Sequence, residues 1–124
     1  MAKIFTPEDL PHFRSTRDKR KRVDLITHKL QGTRAILGDM IVYPAENEGS
    51  AHYHQGAVEI KYVLRGSATF NIDGAEYPVR QGNIIVLERG EVHHFATEAG
   101  EDLAFLEFWL PAAKDTAWVD PKDP

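Results

Sequence analysis

The sequence predicts an all-β protein folded as a single barrel or sandwich, and three observations carry that expectation. Apolar residues fall in short runs rich in Val, Ile, Phe and Tyr, at 23–30, 34–43, 57–65, 67–72, 76–80, 83–87, 92–96 and 103–110. Glycines or polar turns separate most of these runs: Gly32, Gly49, Gly56, Gly66, Asp73-Gly74, Gln81-Gly82, Arg89-Gly90 and Gly100. Helical periodicity is nearly absent. Short strands at this spacing are what a closed or two-layered sheet requires.

Taken in chain order, Thr6 followed by Pro7, Glu8 and Asp9 reads as one capped helical turn, with Pro at the first position where its missing N–H costs nothing. The basic amino-terminal arm and the first strands occupy 1–34, the barrel core 35–111 and a tail 112–124. Asp73-Gly74 is the clearest hairpin, since both residues tolerate the positive φ of a two-residue turn. In the strand at 103–110 the alternation sets Leu103, Phe105, Glu107 and Trp109 against Ala104, Leu106, Phe108 and Leu110, and the second set is expected to face the core and supply pocket wall without chemistry. A helical turn is expected around Ala112 to Trp118. No repeat, linker or low-complexity segment interrupts the pattern.

A chain of 124 residues with 42% apolar content has room for one domain with a real core. It contains no cysteine, which excludes disulfides, thiolate nucleophiles and thiolate-bound zinc or iron–sulfur sites. Any metal must therefore be held by His, Asp or Glu. No basic start leads into an apolar stretch, and no run approaches the roughly 18 residues that cross a bilayer. The expectation is a soluble, cytoplasmic protein with no membrane partner.

The net charge of −4 divides unevenly, at +5 over residues 1–34 and −9 over 35–124. Arg14, Arg17, Lys19, Arg20, Lys21 and Arg22 concentrate the positive excess. No aromatic residues interleave this run as a nucleic-acid stacking platform would need, so no nucleic-acid partner is expected. The run is expected instead to touch its own acidic barrel or a partner subunit.

Four of the six histidines fall in two clusters. His52 and His54 are two apart on a strand, so both leave the same face while Tyr53 points away. Glu59 follows across the Gln55-Gly56 turn, and His93 opens a later strand after Arg89-Gly90. Three neutral imidazoles and a carboxylate suit one divalent transition metal ion: Fe(II), Mn(II), Ni(II), Co(II), Cu(II) or Zn(II).

The segment GSAHYHQGAVEIKYVLRG at 49–66 resembles the first motif of the cupin superfamily: HxH, four residues, Glu, six residues, Gly. GNIIVLERGEVHHF from Gly82 resembles the second, in which Gly, five residues, Pro-x-Gly, two residues and His follow in order. The resemblance implies a small single-domain cupin, a double-stranded β-helix or jelly-roll barrel, and it carries metal-ligand roles onto His52, His54, Glu59 and His93. It also implies a homodimer. The chain departs from the pattern at Glu46, Glu88 and Thr97, which stand where the family has Gly, Pro and Asn. All three are turn-shaping or support positions.

Spacing from Gly90 selects His93 over its neighbour His94, which faces the other side of the strand. His12 and His28 lie outside both motifs and read as surface or strand residues. Alternation from Glu59 puts Lys61 and Val63 toward the lumen, with Ile60, Tyr62 and Leu64 outward. Lysine is almost never buried unpaired. Lys61 is thus the candidate catalytic residue, as a substrate-carboxylate clamp or proton donor, unless a bulge turns it to solvent. Arg34, Met40, Tyr43 and Phe95 are candidate cavity residues, with packing the simpler role for each.

Fold alone does not set function. Four protein ligands on a six-coordinate ion leave two open positions, which suits catalysis on a small oxygenated organic molecule. Fe(II)-dependent dioxygenation is the leading expectation. An isomerase, lyase or decarboxylase using the ion as a Lewis acid is the first alternative. A non-catalytic small-molecule binding module is the second; sensors of this fold usually carry an attached DNA-binding domain, which is not expected in this sequence.

Overall fold

The computed structural model describes residues 2–16 and 18–119. A 3₁₀ turn at Pro7–Asp9 is followed by β1 (His12–Arg14), β2 (Lys21–Ile26), a short helix α1 (His28–Gln31) and β3 (Leu37–Tyr43). The remainder is all strand: β4 (His52–His54), β5 (Val58–Arg65), β6 (Ser67–Ile72), β7 (Ala75–Arg80), β8 (Ile84–Leu87), β9 (His93–Thr97), β10 (Leu103–Leu110) and β11 (Thr116–Trp118). Two antiparallel sheets face each other, a six-stranded sheet in the order β1-β2-β3-β10-β5-β8 and a five-stranded sheet in the order β11-β4-β9-β6-β7. Among the described residues, no helix is long and apolar enough to cross a membrane.

Turn chemistry sets the registers. Asp73 (φ 49°) and Gly74 (φ 90°) form the expected two-residue hairpin, pairing Ile72 with Ala75. Glu46 stands where the family's glycine would fall, yet its φ is 56°, so the backbone demand persists without the residue that meets it most cheaply. Thr97 fills its support position with its hydroxyl, which donates to the Pro44 carbonyl and accepts from the Asn47 N–H.

Several sequence expectations are corrected. The run at 23–30 does not continue as strand: Thr27 accepts a hydrogen bond from the Leu30 N–H through its hydroxyl, and Gly32 (φ 76°) closes the turn of α1. Residues 116–118 are a strand beside β4, not part of a helical turn. β1 was not signalled by any apolar run, because His12, Phe13 and Arg14 are all exposed.

The face of β10 is also reversed from expectation. Leu103, Phe105, Glu107 and Trp109 are buried, whereas Leu106, Phe108 and Leu110 look outward. Glu107 can be inside because Lys61, directly opposite on β5, is inside with it. An ion pair supplies what an isolated buried carboxylate lacks. Of the other candidate cavity residues, Tyr43 and Phe95 pack in the core, Met40 is half-buried and Arg34 is exposed.

The interior is divided along the strand axis. One end is oily, built from Ile41, Val63, Phe70, Phe95, Leu103 and Phe105. The other is charged. On β5 the inward residues change from Glu59 and Lys61 to Val63, and on β10 from Trp109 and Glu107 to Phe105. The basic arm supplies β1 and β2 of the six-stranded sheet, and its charges pair largely within the arm: Arg22 with Asp24 at 3.0 Å, and Arg20 at 3.8 Å from Asp18, whose carboxylate accepts from the Tyr43 hydroxyl of β3 at 2.9 Å. Arg17 lies outside the described residues.

Candidate metal centre

The charged end brings His52, His54, Glu59 and His93 together, with one potential ligand atom from each lying within 4.8 Å of all the others. Each arrives from a fixed strand position. His52 pairs across the sheet with His93, His54 follows two residues on, and Glu59 opens β5 on the facing sheet. The rings of His52 and His93 are 4.3 Å apart, and those of His52 and His54 5.0 Å.

The local backbone decides which nitrogens face the centre. His52 Nδ1 is 2.8 Å from the Ser50 carbonyl, and His93 Nδ1 is 3.1 Å from that of Glu91. A carbonyl only accepts, so each Nδ1 carries the proton and each Nε2 is left with its lone pair. His54 Nε2 and His93 Nε2 stand 3.4 and 3.3 Å from Glu59 Oε1. All three atoms are buried and without a hydrogen-bond partner. They crowd together without hydrogen-bonding one another, a grouping that could hold one cation.

Protonation fits the same purpose. Burial, reinforced by the neighbouring His93, pulls His52 down to about 3, so its imidazole is neutral at ordinary pH. Burial alone would raise Glu59, but the Lys61 ammonium, with contacts from His54, His93 and Glu107, outweighs it and holds the carboxylate well below its usual range. Imidazole nitrogens and a carboxylate suit a divalent transition metal, and the orphaned atoms fit such an ion. The donor set does not select which metal.

Lys61 is on the interior face, as alternation from Glu59 requires, and no bulge displaces it. Its Nζ lies 3.0 Å from Glu59 Oε2, 3.5 Å from Glu107 Oε2 and 4.4 Å from the centre of the Phe105 ring. Burial opposes its charge, but Glu107 and Glu59 outweigh burial and raise its pKa. His94 is half-buried, pairs with Asn71 across the sheet and stays outside the cluster. His12 and His28 are exposed and are not part of the cluster.

Three further residues of this end, Asp39, Glu107 and Lys114, escaped the sequence reading. Asp39, Glu107 and Lys61 lie side by side in cross-strand register on β3, β10 and β5. Lys114 Nζ reaches Asp39 Oδ2 at 3.3 Å and lies 4.6 Å from the centre of the Trp109 ring. The available signal was Lys61 itself, because an inward lysine calls for inward carboxylates on the neighbouring strand.

Comparison with known proteins agrees with this architecture. The chain is 27% identical over 101 residues to an oxalate-binding protein of Thermotoga maritima, covering 82% of this chain and 84% of that one. It is 35% identical over 79 residues to an uncharacterized HTH-type transcriptional regulator of Escherichia coli, YdiP, but these span only 26% of the regulator. The polyketide cyclase RemF of Streptomyces resistomycificus superposes with a TM-score of 0.82 at 22% identity, covering 99% of this chain and 89% of that one. A predicted oxalate decarboxylase of Thermotoga maritima gives 0.78 at 21% identity, covering 88% and 99%. These two structures show the shared fold. Residues 38–109 match the cupin domain family, both motif segments fall within that match, and the chain belongs to that family.

Proposed function

We propose that this chain holds one divalent transition metal on His52, His54, Glu59 and His93 and acts as a metal-dependent enzyme on a small oxygen-rich organic molecule, with Fe(II)-dependent dioxygenation as its reaction. The observation that carries the reading is the convergence of His54 Nε2, His93 Nε2 and Glu59 Oε1, buried and otherwise unpartnered. Fe(II), when bound, supplies redox chemistry with dioxygen that no side chain of this protein can supply. The chain's own residues set the ligand field, exclude water and fix charge. Ser50 and Glu91 hold two imidazoles in the ligating tautomer. Lys61 is a positioning residue in this reading: tied to Glu59 and Glu107, it keeps Glu59 ionised and oriented.

A specific observation favours a second reading. The similarity to an oxalate-binding protein extends over most of both chains, which supports a small carboxylate as ligand and a Lewis-acid decarboxylation or lyase step as the chemistry. A non-catalytic binding module is the outcome if ligand binds without turnover. The proposal also takes the protein to be cytoplasmic and a homodimer; the exposed apolar side chains Tyr62, Ile84 and Val86 on the outer sheet face support the second point.

Anaerobic reconstitution with each metal, followed by oxygen-uptake and carbon-dioxide-release screens on small organic acids and diols, tests the reading. Oxygen uptake with Fe(II) alone is the expected result. Carbon dioxide release without oxygen uptake replaces it with the second reading.

A further inference from the structure

A metal ion accounts for three of the six buried polar side-chain atoms that lack partners among the described residues, but not for His54 Nδ1, Trp109 Nε1 or Asp39 Oδ1. Trp109 is 1% exposed, and an indole N–H buried without an acceptor is rare enough to require an explanation. It stands beside the centre. Trp109 is the direct cross-strand neighbour of Glu59, and its ring meets that of His54 edge-on, 5.9 Å between centroids.

The chain that follows Trp109 encloses the same space. After β10 it crosses from the six-stranded to the five-stranded sheet, where β11 pairs with β4 and the Trp118 ring lies 4.9 Å from that of His52. Asp115 fastens the crossing by accepting from the Gly56 N–H at 2.8 Å, between the ligands His54 and Glu59. Lys114 hangs from this crossing over the Trp109 ring. It is a quarter exposed, with its ammonium 4.6 Å from the centre of the indole and 3.3 Å from Asp39 Oδ2, the partner an incoming anion would share.

We propose that Trp109 Nε1 and Lys114 form an anion-recognition subsite beside the metal, which takes the distal oxygens of a small dicarboxylate or related organic anion whose other oxygens bind the ion. The inference rests on the metal-centre reading and names the ligand class for it. An indole N–H donates one directed bond to a carboxylate oxygen, while the ammonium adds charge without strict direction. A ligand ending in a methyl group would leave the indole unpaired and would be discriminated against.

The test uses zinc(II)-loaded full chain and oxalate as the probe, with acetate as the control lacking distal oxygens. Zinc content is measured alongside. Trp109→Phe is expected to keep one zinc per chain and weaken oxalate at least tenfold, with acetate affinity unchanged. Lys114→Gln is expected to weaken oxalate severalfold and to reduce its salt dependence. In case Trp109→Phe folds poorly, the indole ¹H–¹⁵N resonance of Trp109 in the unaltered protein, assigned with Trp118→Phe, should shift on adding oxalate and not on adding acetate. Zinc-loaded protein that fails to bind oxalate, or whose Trp109 resonance is unmoved by bound oxalate, overturns the subsite while the metal centre stands. Trp109→Phe that retains zinc and full oxalate affinity does the same. A chain that binds no zinc overturns both.

Discussion

Lys61 Nζ lies 3.0 Å from Glu59 Oε2, and the two side chains are 4% and 1% exposed, so a metal-ligand candidate has a fully desolvated cation as its neighbour. Glu107 contacts the same ammonium from the adjacent strand at 3.5 Å. Removing the cation leaves the Glu59 carboxylate buried without its compensating charge, beside a Glu107 carboxyl that burial and the neighbouring Asp39 raise well above the usual range. Lys61→Met is therefore expected to destabilise the protein by about 3–5 kcal/mol, the range for breaking a buried pair from one side. The double variant Lys61→Met/Glu107→Leu should recover part of that loss, because it replaces a second buried polar group that had lost its partner with an apolar one. Denaturant titrations of the single and double variants measure this. A single variant as stable as the parent would show that the pair contributes nothing.

His52→Ala, His54→Ala and His93→Ala should each lose most of the bound metal and keep the β fold, since the oily end of the barrel holds the sheets together without them. His94→Ala should retain the metal of the parent protein, because His94 lies outside the cluster. Elemental analysis alongside far-ultraviolet circular dichroism reads both properties. Retention of one metal per chain in all three alanine variants would remove the site assignment.

Asp39 gives a dependence on pH that does not involve the ligands. Burial, opposed by Lys114, raises its carboxyl from 3.8 to about 6. The folded chain therefore holds this proton more tightly than the unfolded one. The contribution to stability is full below pH 3.8 and is lost as pH rises through about 6. Asp39→Asn should flatten the stability profile across that interval, as seen in the difference between the two chemical-denaturation curves. Parallel curves would mean that Asp39 titrates alike in both states.

Gly66 and Gly74 both have positive φ, at 84° and 90°, but their surroundings differ. A Cβ on Gly66 would run into the Asp102 carbonyl and come within 3.0 Å of the Leu103 Cα, whereas one on Gly74 would meet nothing within 4 Å. Gly74→Ala should cost about 1–2 kcal/mol, the left-handed backbone penalty alone. Gly66→Ala adds an unyielding backbone clash, worth about another 1–3 kcal/mol. Thermal melts of the two variants rank them directly, and equal losses would contradict the crowding at Gly66.

Most strands from 37 to 110 could be read from the sequence because they are long enough to show their apolar residues between recognisable turns, as at Asp73-Gly74; β4, with three residues, was legible only through its HxH spacing. β1 and β11 could not, since three residues carry no periodicity and both are held by pairing with neighbours distant in sequence or across an exposed turn. The ligand cluster was legible through its spacing and its family motif. Its charged surroundings were not. Counting apolar residues sent Glu107 and Trp109 outward on β10, whereas a partner on another strand decides the cost of burying a carboxylate. Sequence order does not display that partner, although Lys61 at an inward position already implied one.

The split of the interior into an oily end and a charged end has a consequence for how such a barrel changes over evolutionary time. Ballast and chemistry occupy the same strands but different stretches of them: Val63 against Glu59 on β5, Phe105 against Trp109 on β10, Phe95 against His93 on β9. Substitutions at the charged end can thus explore new substrates without drawing on the packing that keeps the sheets closed. A mutational library confined to the positions around His52 and Lys114 should sample altered selectivity among mostly folded proteins, whereas one spread over Ile41, Phe70 and Leu103 should mostly sample unfolded ones.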